Sequence, residues 1–437
     1  MRVGTAWQRA TRPGVATRRA SPIPRPCEPA TLPGMGDESE LAVALFVGLV
    51  ALAAAVAIAT KRLSIPWSVA LVVAGLVISL AGPLHELHVT HELILAVLIP
   101  GLVFEAAYKI HLDELRRTFP AVAVLAVPGV AITAAVVAAI VSATTGMNGG
   151  LAFLLGAIVC ATDPVAVIAI FKQLRAPKTL ATVVEAESLL NDGTGVVLFT
   201  IALAAVSTPV SIGEGLVRFG AAVVVSAILG GITGYVAVRA MHLAGDHLVE
   251  VAVSVVAAYG SYLLADALHQ SGIIATVVAG LVIGNPGARL ALDARTNEAL
   301  DLVWEFTAFL LTALVFLLVG VVITPTTLVA AVPVIVAGSV AITVARAVVV
   351  YVVIGGGQRL LPIGRPGALP TAYLHVMFWA GMRGAIAIAL VLALPADLPS
   401  RDLVAGGVYG IVLVTLLVQG TTAGWVVRRA GIPTGAP

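Results

Sequence analysis

Two acidic stretches lie inside hydrophobic segments of this 437-residue chain. The first is Thr162-Asp163-Pro164, and the second runs from Glu187 to Gly193. A carboxylate at the centre of a bilayer costs about 2.5–3.5 kcal/mol or more, so it is seldom found there without a function. Several such acids in one chain indicate a pathway for ions or protons, and they predict a transporter.

Asp192 carries the strongest indication of ion binding. On a helix, Ser188, Asn191 and Asp192 fall at i, i+3 and i+4 and share one face. That face presents a hydroxyl, an amide carbonyl and a carboxylate, which are the oxygen donors that hard cations prefer. A carboxylate that holds either a proton or a cation, but not both, is sufficient for exchange. The alternative is a buried carboxylate that only makes hydrogen bonds.

Two predicted helices contain signals for an interruption in the middle of the membrane. Pro164 lacks an N–H, and Asp163 before it is suited to cap a new half-helix. Within the predicted helix 371–395, Gly381 and Gly384 flank Arg383, which again suggests an interruption. Crossed half-helices leave dipole ends at the midplane, and Asp163 and Arg383 would neutralise them. Direct contact of Asp163 with the ion is the other interpretation.

Glu187 needs a positive partner if it is ionised inside the membrane. Two basic residues lie deep within predicted helices, namely Arg346 and Arg383. We favour Arg346, because Arg383 is already assigned to the second interruption. A Glu187–Arg346 pair is expected to be structural rather than part of the transported path.

Three further acids lie within hydrophobic segments. Glu105 is a candidate for lining the ion cavity, whereas Asp266 and Glu305 lie nearer the helix ends and suit interfacial positions. A histidine cluster within 85–91 falls in a predicted outer loop, where simple solvent exposure is favoured over pH sensing.

Composition excludes an ordinary soluble domain. Hydrophobic residues make up 59% of the chain and charged residues 11%, whereas a soluble domain carries about 25% charged residues. The net charge of +2 gives no indication of nucleic-acid binding. The two cysteines, Cys27 and Cys160, predict neither a disulfide framework nor a metal or haem site. No cofactor and no enzymatic activity are expected.

Runs of about 18–25 apolar residues are needed to span a bilayer as helices. The chain contains about thirteen such runs. They lie near 41–59, 65–82, 92–108, 120–143, 150–172, 180–206, 216–241, 248–268, 271–286, 300–322, 328–354, 371–395 and 403–427. The sequence therefore predicts an all-α polytopic membrane protein in which the interruptions belong to helices 5 and 12.

Lysine and arginine residues, among them Lys109, Arg116 and Arg117, concentrate in the loops on one side of these helices. This places that side and the C-terminus in the cytoplasm. An odd helix count then puts the N-terminus outside. Residues 1–40 begin with an arginine- and proline-rich stretch that conflicts with this placement and has the composition of a disordered tail. We hypothesise that translation begins at Met35; an arginine-rich targeting leader is the alternative. N-terminal sequencing of the natural protein decides between them.

A seven-residue repeat links two predicted helices. The stretch 72–78 recurs unchanged as 277–283, on helices 2 and 9. Helices seven apart cross a membrane in opposite directions, so a duplicated unit at this spacing predicts an inverted repeat, as in many secondary transporters. Chance similarity in a Val/Ala/Leu-rich chain is the alternative.

These stretches together resemble the cation:proton antiporter family that includes bacterial NhaP-type and animal NHE-type sodium/proton exchangers. The resemblance covers about residues 41–427. The matching motifs are Phe104-Glu105-Ala106, Ala161 to Ala166, Glu187 to Gly193, Ser271 to Ala275, Trp304-Glu305-Phe306 and Gly381 to Gly384.

The resemblance implies a homodimer whose protomers contain about thirteen helices. Dimerisation helices would lie within 41–108 and 216–322 in part, core ion-translocation helices within 92–206 and 300–395 in part, and a short cytoplasmic tail at 428–437. Asp192 would bind Na⁺ or the proton, Asp163 and Ser188 would complete the Na⁺ site, and Asn191, Thr162 and Glu105 would assist. The Asn191-Asp192 pair implies electroneutral exchange of one cation for one proton.

Two departures from the family pattern qualify the resemblance. Thr312 stands where members often carry asparagine, which leaves the cation preference open. No large regulatory tail follows the last helix, which favours a self-contained bacterial-type transporter in the plasma membrane. K⁺/H⁺ exchange is the near alternative. A cation channel and an intramembrane aspartyl protease are the alternatives from other classes, and flux that saturates and is coupled to pH separates an antiporter from a channel.

Overall fold

The structure, a computed structural model, describes residues 35–60, 66–81, 92–207, 211–290, 292–360 and 369–432. These residues form helices and turns and contain no strand. The chain divides into two units, Met1–Val47 and Gly48–Pro437, and the site described below lies within the second. The proposed tail before Met35 and the histidines within 85–91 lie outside the described residues.

Nineteen α-helices and two π-helical segments make up the described chain. The first ten α-helices are α1 (Met35–Thr60), α2 (Trp67–Ala81), α3 (Ile99–Lys109), α4 (Leu112–Ala126), α5 (Pro128–Thr145), α6 (Gly149–Val159), α7 (Val165–Leu174), α8 (Lys178–Ser207), α9 (Ile212–Ala244) and α10 (His247–Ala267). The rest are α11 (Gly272–Ile283), α12 (Pro286–Leu290), α13 (Ala294–Val322), α14 (Pro325–Ala330), α15 (Val332–Ala347), α16 (Gly357–Leu360), α17 (Thr371–Trp379), α18 (Ala385–Leu392) and α19 (Arg401–Arg429). The π-helical segments are Leu93–Leu98, before α3, and Val348–Gly356, after α15.

Seven helical stretches in the described part are long and apolar enough to cross a membrane, and they lie at 112–145, 178–206, 213–244, 247–267, 294–322, 332–356 and 401–429. A helix makes its backbone hydrogen bonds within itself, which is necessary in a bilayer because hydrocarbon offers no hydrogen-bonding partner. Shorter helices occupy the other predicted runs, so helix lies over each of them. The prediction of an all-helical membrane protein is confirmed, while the number of crossings stays a prediction.

The fourth predicted helix begins earlier than the sequence analysis placed it. It starts at Leu112 rather than near residue 120, and Pro120 lies inside it. Its first two turns are amphipathic: Leu115 and Thr118 are buried, while Arg116 and Arg117 are exposed. These arginines were assigned to a loop. They lie on a helix because the helix continues past its apolar stretch and carries its charges on the outer face.

The fifth predicted helix consists of two short helices separated by residues 160–164. Helix α6 ends at Val159 and α7 begins at Val165. In the same way α17 ends at Trp379, residues 380–384 are not helical, and α18 begins at Ala385. The peptide groups between each pair of helices are therefore available for contacts outside the helices.

The two copies of the seven-residue repeat make closely similar contacts. Gly75 of α2 packs against the backbone of α13 at Leu317 and Gly320, and Gly280 of α11 packs against the backbone of α3 near Phe104. A Cβ atom at either glycine would overlap the facing backbone, so only glycine permits these approaches. Helices α2 and α3 occupy the second and third predicted runs, and α11 and α13 occupy the ninth and tenth. A repeat that pairs α2 with α11 and α3 with α13 would therefore also pair the two glycine contacts.

The last helix extends slightly further than predicted. Helix α19 continues through Arg428 and Arg429, which the sequence analysis placed in the tail 428–437. Basic side chains in the last turn interact favourably with the negative end of the helix dipole, which accounts for the extension.

Candidate functional site

A cavity of about 140 Å³ lies between α3, α8, α13 and the two non-helical segments 160–164 and 380–384. Most of its wall is apolar. Six polar side chains also line it, and they are Glu105, Thr162, Asp163, Ser188, Asp192 and Thr312. Five of these six are residues that the sequence analysis proposed for ion or proton binding. The sixth, Thr312, is the position at which the chain departs from its family pattern.

Asp163 lies where two helices begin. Its Oδ1 accepts a hydrogen bond from the backbone N–H of Val165 at 3.0 Å, in the first turn of α7. The backbone N–H of Ala385, the first residue of α18, also hydrogen-bonds to this carboxylate. The positive ends of two helix dipoles therefore face one carboxylate. The Asp-Pro pair predicted Asp163 at the N-cap and Pro164 as the first helical residue; the structure places Pro164 at the N-cap, so α7 begins one residue later than expected.

Gly384 permits this arrangement. A Cβ atom at Gly384 would overlap the Asp163 carboxylate, so that carboxylate occupies the space a side chain would need. The φ angle of Gly384 is −148°, which other residues also adopt. The lack of space for a Cβ atom is therefore sufficient reason for glycine at this position.

Helix α8 binds the non-helical segment at Thr162 through two side chains. The Oδ1 of Asn191 accepts the Thr162 backbone N–H at 3.0 Å, and its Nδ2 donates to the Thr162 hydroxyl at 2.6 Å. The hydroxyl of Ser188 donates to the Thr162 carbonyl. Asn191 does not line the cavity. Its carbonyl was expected to face an ion, but the structure instead uses it to satisfy a peptide group that α6 has left free.

Asp192 projects into the cavity from α8, one turn after Ser188. Asp163 and Arg383 are the charged groups that act on it most strongly. Within the described chain, no hydrogen-bond donor contacts the Asp192 carboxylate. Its oxygens are therefore available to a proton or to a cation in the cavity.

Glu187 and Arg346 form a buried ion pair behind the cavity. Arg346 donates from both terminal nitrogens to the two carboxylate oxygens of Glu187, with 2.9 Å between Nη2 and Oε2. Arg346 also donates to the Met377 carbonyl, at 3.0 Å from Nε and 2.7 Å from Nη2. Only 9% of the Arg346 side chain and 3% of the Glu187 side chain are exposed. The pair joins α8, α15 and α17, as the sequence analysis favoured.

Arg383 lies in the second non-helical segment and is 1% exposed. Its backbone N–H donates to the Thr415 hydroxyl of α19 at 3.1 Å. Its Nε and Nη1 atoms have no hydrogen-bond partner within the described residues. Because Arg346 satisfies Glu187, Arg383 remains a fixed positive charge near Asp192.

Glu105 lines the cavity, and its carboxylate is already paired. Its Oε1 lies 2.7 Å from the Nζ of Lys109, one turn later on α3. The sequence analysis missed this contact, although the i, i+4 spacing of opposite charges on a helix was visible in it. Asp266 and Glu305, by contrast, are exposed and do not line the cavity.

Comparison with known proteins identifies a transporter family. A family model described as "Sodium/hydrogen exchanger, transmembrane" matches residues 48–429. The Na(+)/H(+) antiporter ApNhaP of Aphanothece halophytica is 33% identical over 370 residues, which are 84% of this chain and 70% of that protein. The Na(+)/H(+) antiporter NhaP of Pseudomonas aeruginosa is 34% identical over 369 residues, or 78% of this chain and 82% of that protein.

The fold also has a solved counterpart. The structure of the sodium proton antiporter MjNhaP1 from Methanocaldococcus jannaschii at pH 8 matches with a TM-score of 0.72. The match covers 90% of this chain and 99% of that chain, with 20% sequence identity. At this identity the likeness concerns the fold.

Proposed function

The chain belongs to the sodium/hydrogen exchanger family, and from this we propose that it exchanges Na⁺ for H⁺ across a membrane through the cavity at Asp192. Sodium as the cation is supported by the relatives named Na⁺/H⁺ antiporters, which are 33–34% identical to this chain. One structural observation carries the choice of site: the Asp192 carboxylate enters the cavity without a hydrogen-bond donor from the described chain.

Exchange follows from competition at a single carboxylate. A proton and Na⁺ both need the negative charge of Asp192, so binding one displaces the other. If the cavity opens alternately to the two sides, each crossing carries one of the two ions. A protein loaded with neither would carry an uncompensated charge through the low-dielectric interior, which is unfavourable. This competition is therefore sufficient to couple the movement of Na⁺ to the movement of protons.

The Na⁺ ligands we propose are the carboxylates of Asp192 and Asp163 and the hydroxyl of Ser188. All three line the cavity, and the Ser188 hydroxyl keeps a free lone pair after it donates to Thr162. Thr162 and Glu105 lie on the same wall and complete an oxygen-rich site of the type that hard cations prefer. Asn191 supports the site from outside by holding Thr162 in place.

A stoichiometry of one Na⁺ for one H⁺ is consistent with the charges around the site. Asp163 faces two helix N-termini, Glu187 is neutralised by Arg346, and Asn191 is a neutral amide. Asp192 is then the one acid whose charge is left for the transported ions. Exchange that proceeds in this way moves no net charge across the membrane.

The moving parts would be the two interrupted helices. We propose that α6–α7 and α17–α18 cross near the membrane midplane within an inverted repeat, among about thirteen membrane crossings. The paired glycine contacts of α2 and α11 support that repeat. The core would comprise helices within 92–206 and 300–395, and helices within 41–108 and 216–322 would form the dimer contacts. The homodimer would lie in the plasma membrane with its C-termini in the cytoplasm.

Proton flux in proteoliposomes tests this function. A pH-sensitive dye inside the vesicles reports proton movement when Na⁺, Li⁺ or K⁺ is added outside. We expect Na⁺ and Li⁺ to move protons in the wild type and not in Asp192→Asn, because an amide cannot take up and release a proton. Asp266→Asn, a change at an exposed acid away from the cavity, is the matched control.

The same assay separates the alternatives. A response to K⁺ and none to Na⁺ would make the protein a K⁺/H⁺ antiporter of this fold. Cation flux that neither saturates nor depends on pH would indicate a channel. Normal exchange by a folded Asp192→Asn protein would overturn the mechanism. Clamping the membrane potential with K⁺ and valinomycin should leave the initial rate unchanged if exchange is one to one.

A further inference from the structure

The ion pair between Glu105 and Lys109 is more exposed than the buried pair between Glu187 and Arg346. The Glu105 carboxylate lines the cavity, while Lys109 lies outside the wall, in the last turn of α3. The exposed fraction of the side chain is 17% for Glu105 and 33% for Lys109. The pair therefore joins the polar cavity to the outer surface of the described chain.

Lys109 is held less firmly than Arg346. Within the described residues its ammonium contacts a single carboxylate, that of Glu105. Arg346, by contrast, forms a bidentate ion pair with Glu187 and also donates to a backbone carbonyl. An ammonium group is a compact charge on a flexible stem, and a partly exposed pair of this kind is weak. Such a lysine exchanges readily with another cation.

Two further charged groups lie near the Glu105–Lys109 pair. Glu185 of α8 and Lys172 of α7 are the other charged groups nearby, and the charges of Lys172, Glu105 and Lys109 all act on the Glu185 carboxyl. Glu105 and Lys109 neutralise each other in the absence of an ion. A monovalent cation that reaches Glu105 adds a positive charge to a neutral group, and the nearest positive charge it meets is that of Lys109.

We propose that Lys109 is a tethered competitor of the transported cation: its ammonium occupies Glu105 when the cavity holds no cation and must move away when Na⁺ binds. This inference rests on the proposed function of the Asp192 cavity. It makes Lys109 a residue that sets the apparent affinity for Na⁺, although it does not line the cavity. A monovalent cation approaching this wall replaces a lysine rather than filling an empty site.

Removing the competitor should strengthen Na⁺ binding. In Lys109→Gln we expect the Na⁺ concentration that gives half-maximal proton flux to fall about two- to fivefold, with the maximal rate retained. Lys109→Arg should leave that concentration at or above the wild-type value, because arginine binds a carboxylate more tightly than lysine does. Arg218→Gln removes an exposed i, i+4 pair with Glu214 on α9 and is the matched control.

The double variant shows whether Lys109 acts through Glu105. In a Glu105→Gln background, the Lys109→Gln change should have no effect on the half-maximal Na⁺ concentration. If Lys109 only compensates the dipole at the end of α3, Lys109→Gln lowers the melting temperature and leaves the half-maximal concentration as in the wild type. That result, or an equal fall in the Glu105→Gln background, overturns the proposal.

A binding measurement separates this proposal from the proposed function. A ligand that binds only the folded state raises the melting temperature. Na⁺ should stabilise detergent-solubilised Lys109→Gln at lower concentrations than the wild type, whether or not protons are transported. Equal Na⁺ dependence in the two proteins overturns the competition. Absence of Na⁺-driven proton flux in the wild type, by contrast, overturns the proposed function.

Discussion

Asp163 donates its backbone N–H to the carbonyl of Met382 at 2.8 Å, so a main-chain hydrogen bond joins the two non-helical segments. The first segment also contacts α18, where the Asp163 carboxylate faces the N–H of Ala385. Both contacts come from peptide groups that the interrupted helices leave free. Any displacement of one segment must therefore move or break its contact with the other.

Gly384→Ala should damage the site without disturbing the rest of the fold. The added methyl group overlaps the Asp163 carboxylate, and overpacking of this kind costs roughly 1–3 kcal/mol. We expect at least about a tenfold loss of Na⁺-driven proton flux, because the displaced carboxylate is one of the proposed ligands. Gly220→Ala on α9 is the control, since a Cβ there meets no atom within 4 Å. Wild-type flux in Gly384→Ala would contradict the proposed packing.

Glu187→Ala should lower stability far more than it lowers the affinity for Na⁺. It strands the Arg346 guanidinium in the protein interior, and breaking a buried pair in this way costs roughly 3–5 kcal/mol. The melting temperature and yield of purified protein measure the effect. Replacing both partners, as in Glu187→Leu with Arg346→Leu, should recover part of the loss because no charge is then left unpaired. An unchanged melting temperature in Glu187→Ala would refute a structural role.

Glu214→Gln provides the matched control for that experiment. Glu214 and Arg218 also form an ion pair, but about half of each side chain is exposed. Exposed pairs contribute about 0–1 kcal/mol, so the melting temperature should hardly change. A drop as large as that of Glu187→Ala would mean that burial is not what distinguishes the two pairs.

Asn191→Ala should loosen the segment that carries Asp163. The change leaves the Thr162 backbone N–H and hydroxyl without their partner, and an unsatisfied buried group costs about 1–3 kcal/mol. We expect a lower melting temperature together with a higher half-maximal Na⁺ concentration. Asn191→Asp keeps an acceptor for the Thr162 N–H and should be less destabilising. If Asn191→Ala raised the half-maximal Na⁺ concentration without lowering the melting temperature, direct ion contact by Asn191 would be the better account.

Asp246 gives a pH-dependent contribution at the start of α10. Hydrogen bonds from the backbone N–H groups of Val249 and Leu248 hold the pKa of Asp246 below its usual value. A lowered folded-state pKa means that the cap stabilises the protein fully above the unfolded pKa of about 3.9 and less as the pH falls through the folded value. The melting temperature of Asp246→Ala should therefore lie below that of the wild type at about pH 7, and the gap should shrink as the pH falls below the unfolded pKa of about 3.9. A gap of constant size across this range would exclude capping by the carboxylate.

Much of the fold was accessible from the sequence, because hydrophobic runs and helix breakers are local signals. The apolar runs predicted the helices, and the Asp163-Pro164 step and the glycines around Arg383 marked the non-helical segments. The start of α4 was missed because its first two turns are amphipathic and fall below the hydrophobicity of a spanning run.

The contacts within the site were less accessible, because they depend on side-chain direction in three dimensions. Asn191 and Asp192 are neighbours in sequence, yet Asn191 turns to Thr162 while Asp192 enters the cavity. The helical spacing predicts a shared face for the two residues, but spacing alone does not determine which of two polar side chains binds a free peptide N–H. Lys109 was overlooked for a different reason: it was treated as a loop charge, whereas the last turn of α3 includes it.

The position of Asp163 at two helix N-termini has a consequence for the valence of the transported ion. Each N-terminus carries about half a positive elementary charge, so the two together offset about one carboxylate. Arg383 supplies one further positive charge, while Asp192 and, once Lys109 has moved away, Glu105 supply two negative charges. A monovalent cation then leaves this enclosure neutral, whereas Mg²⁺ or Ca²⁺ would leave it with an excess positive charge. The charges of the proposed site thus disfavour divalent ions, before size or hydration selects among the monovalent ones.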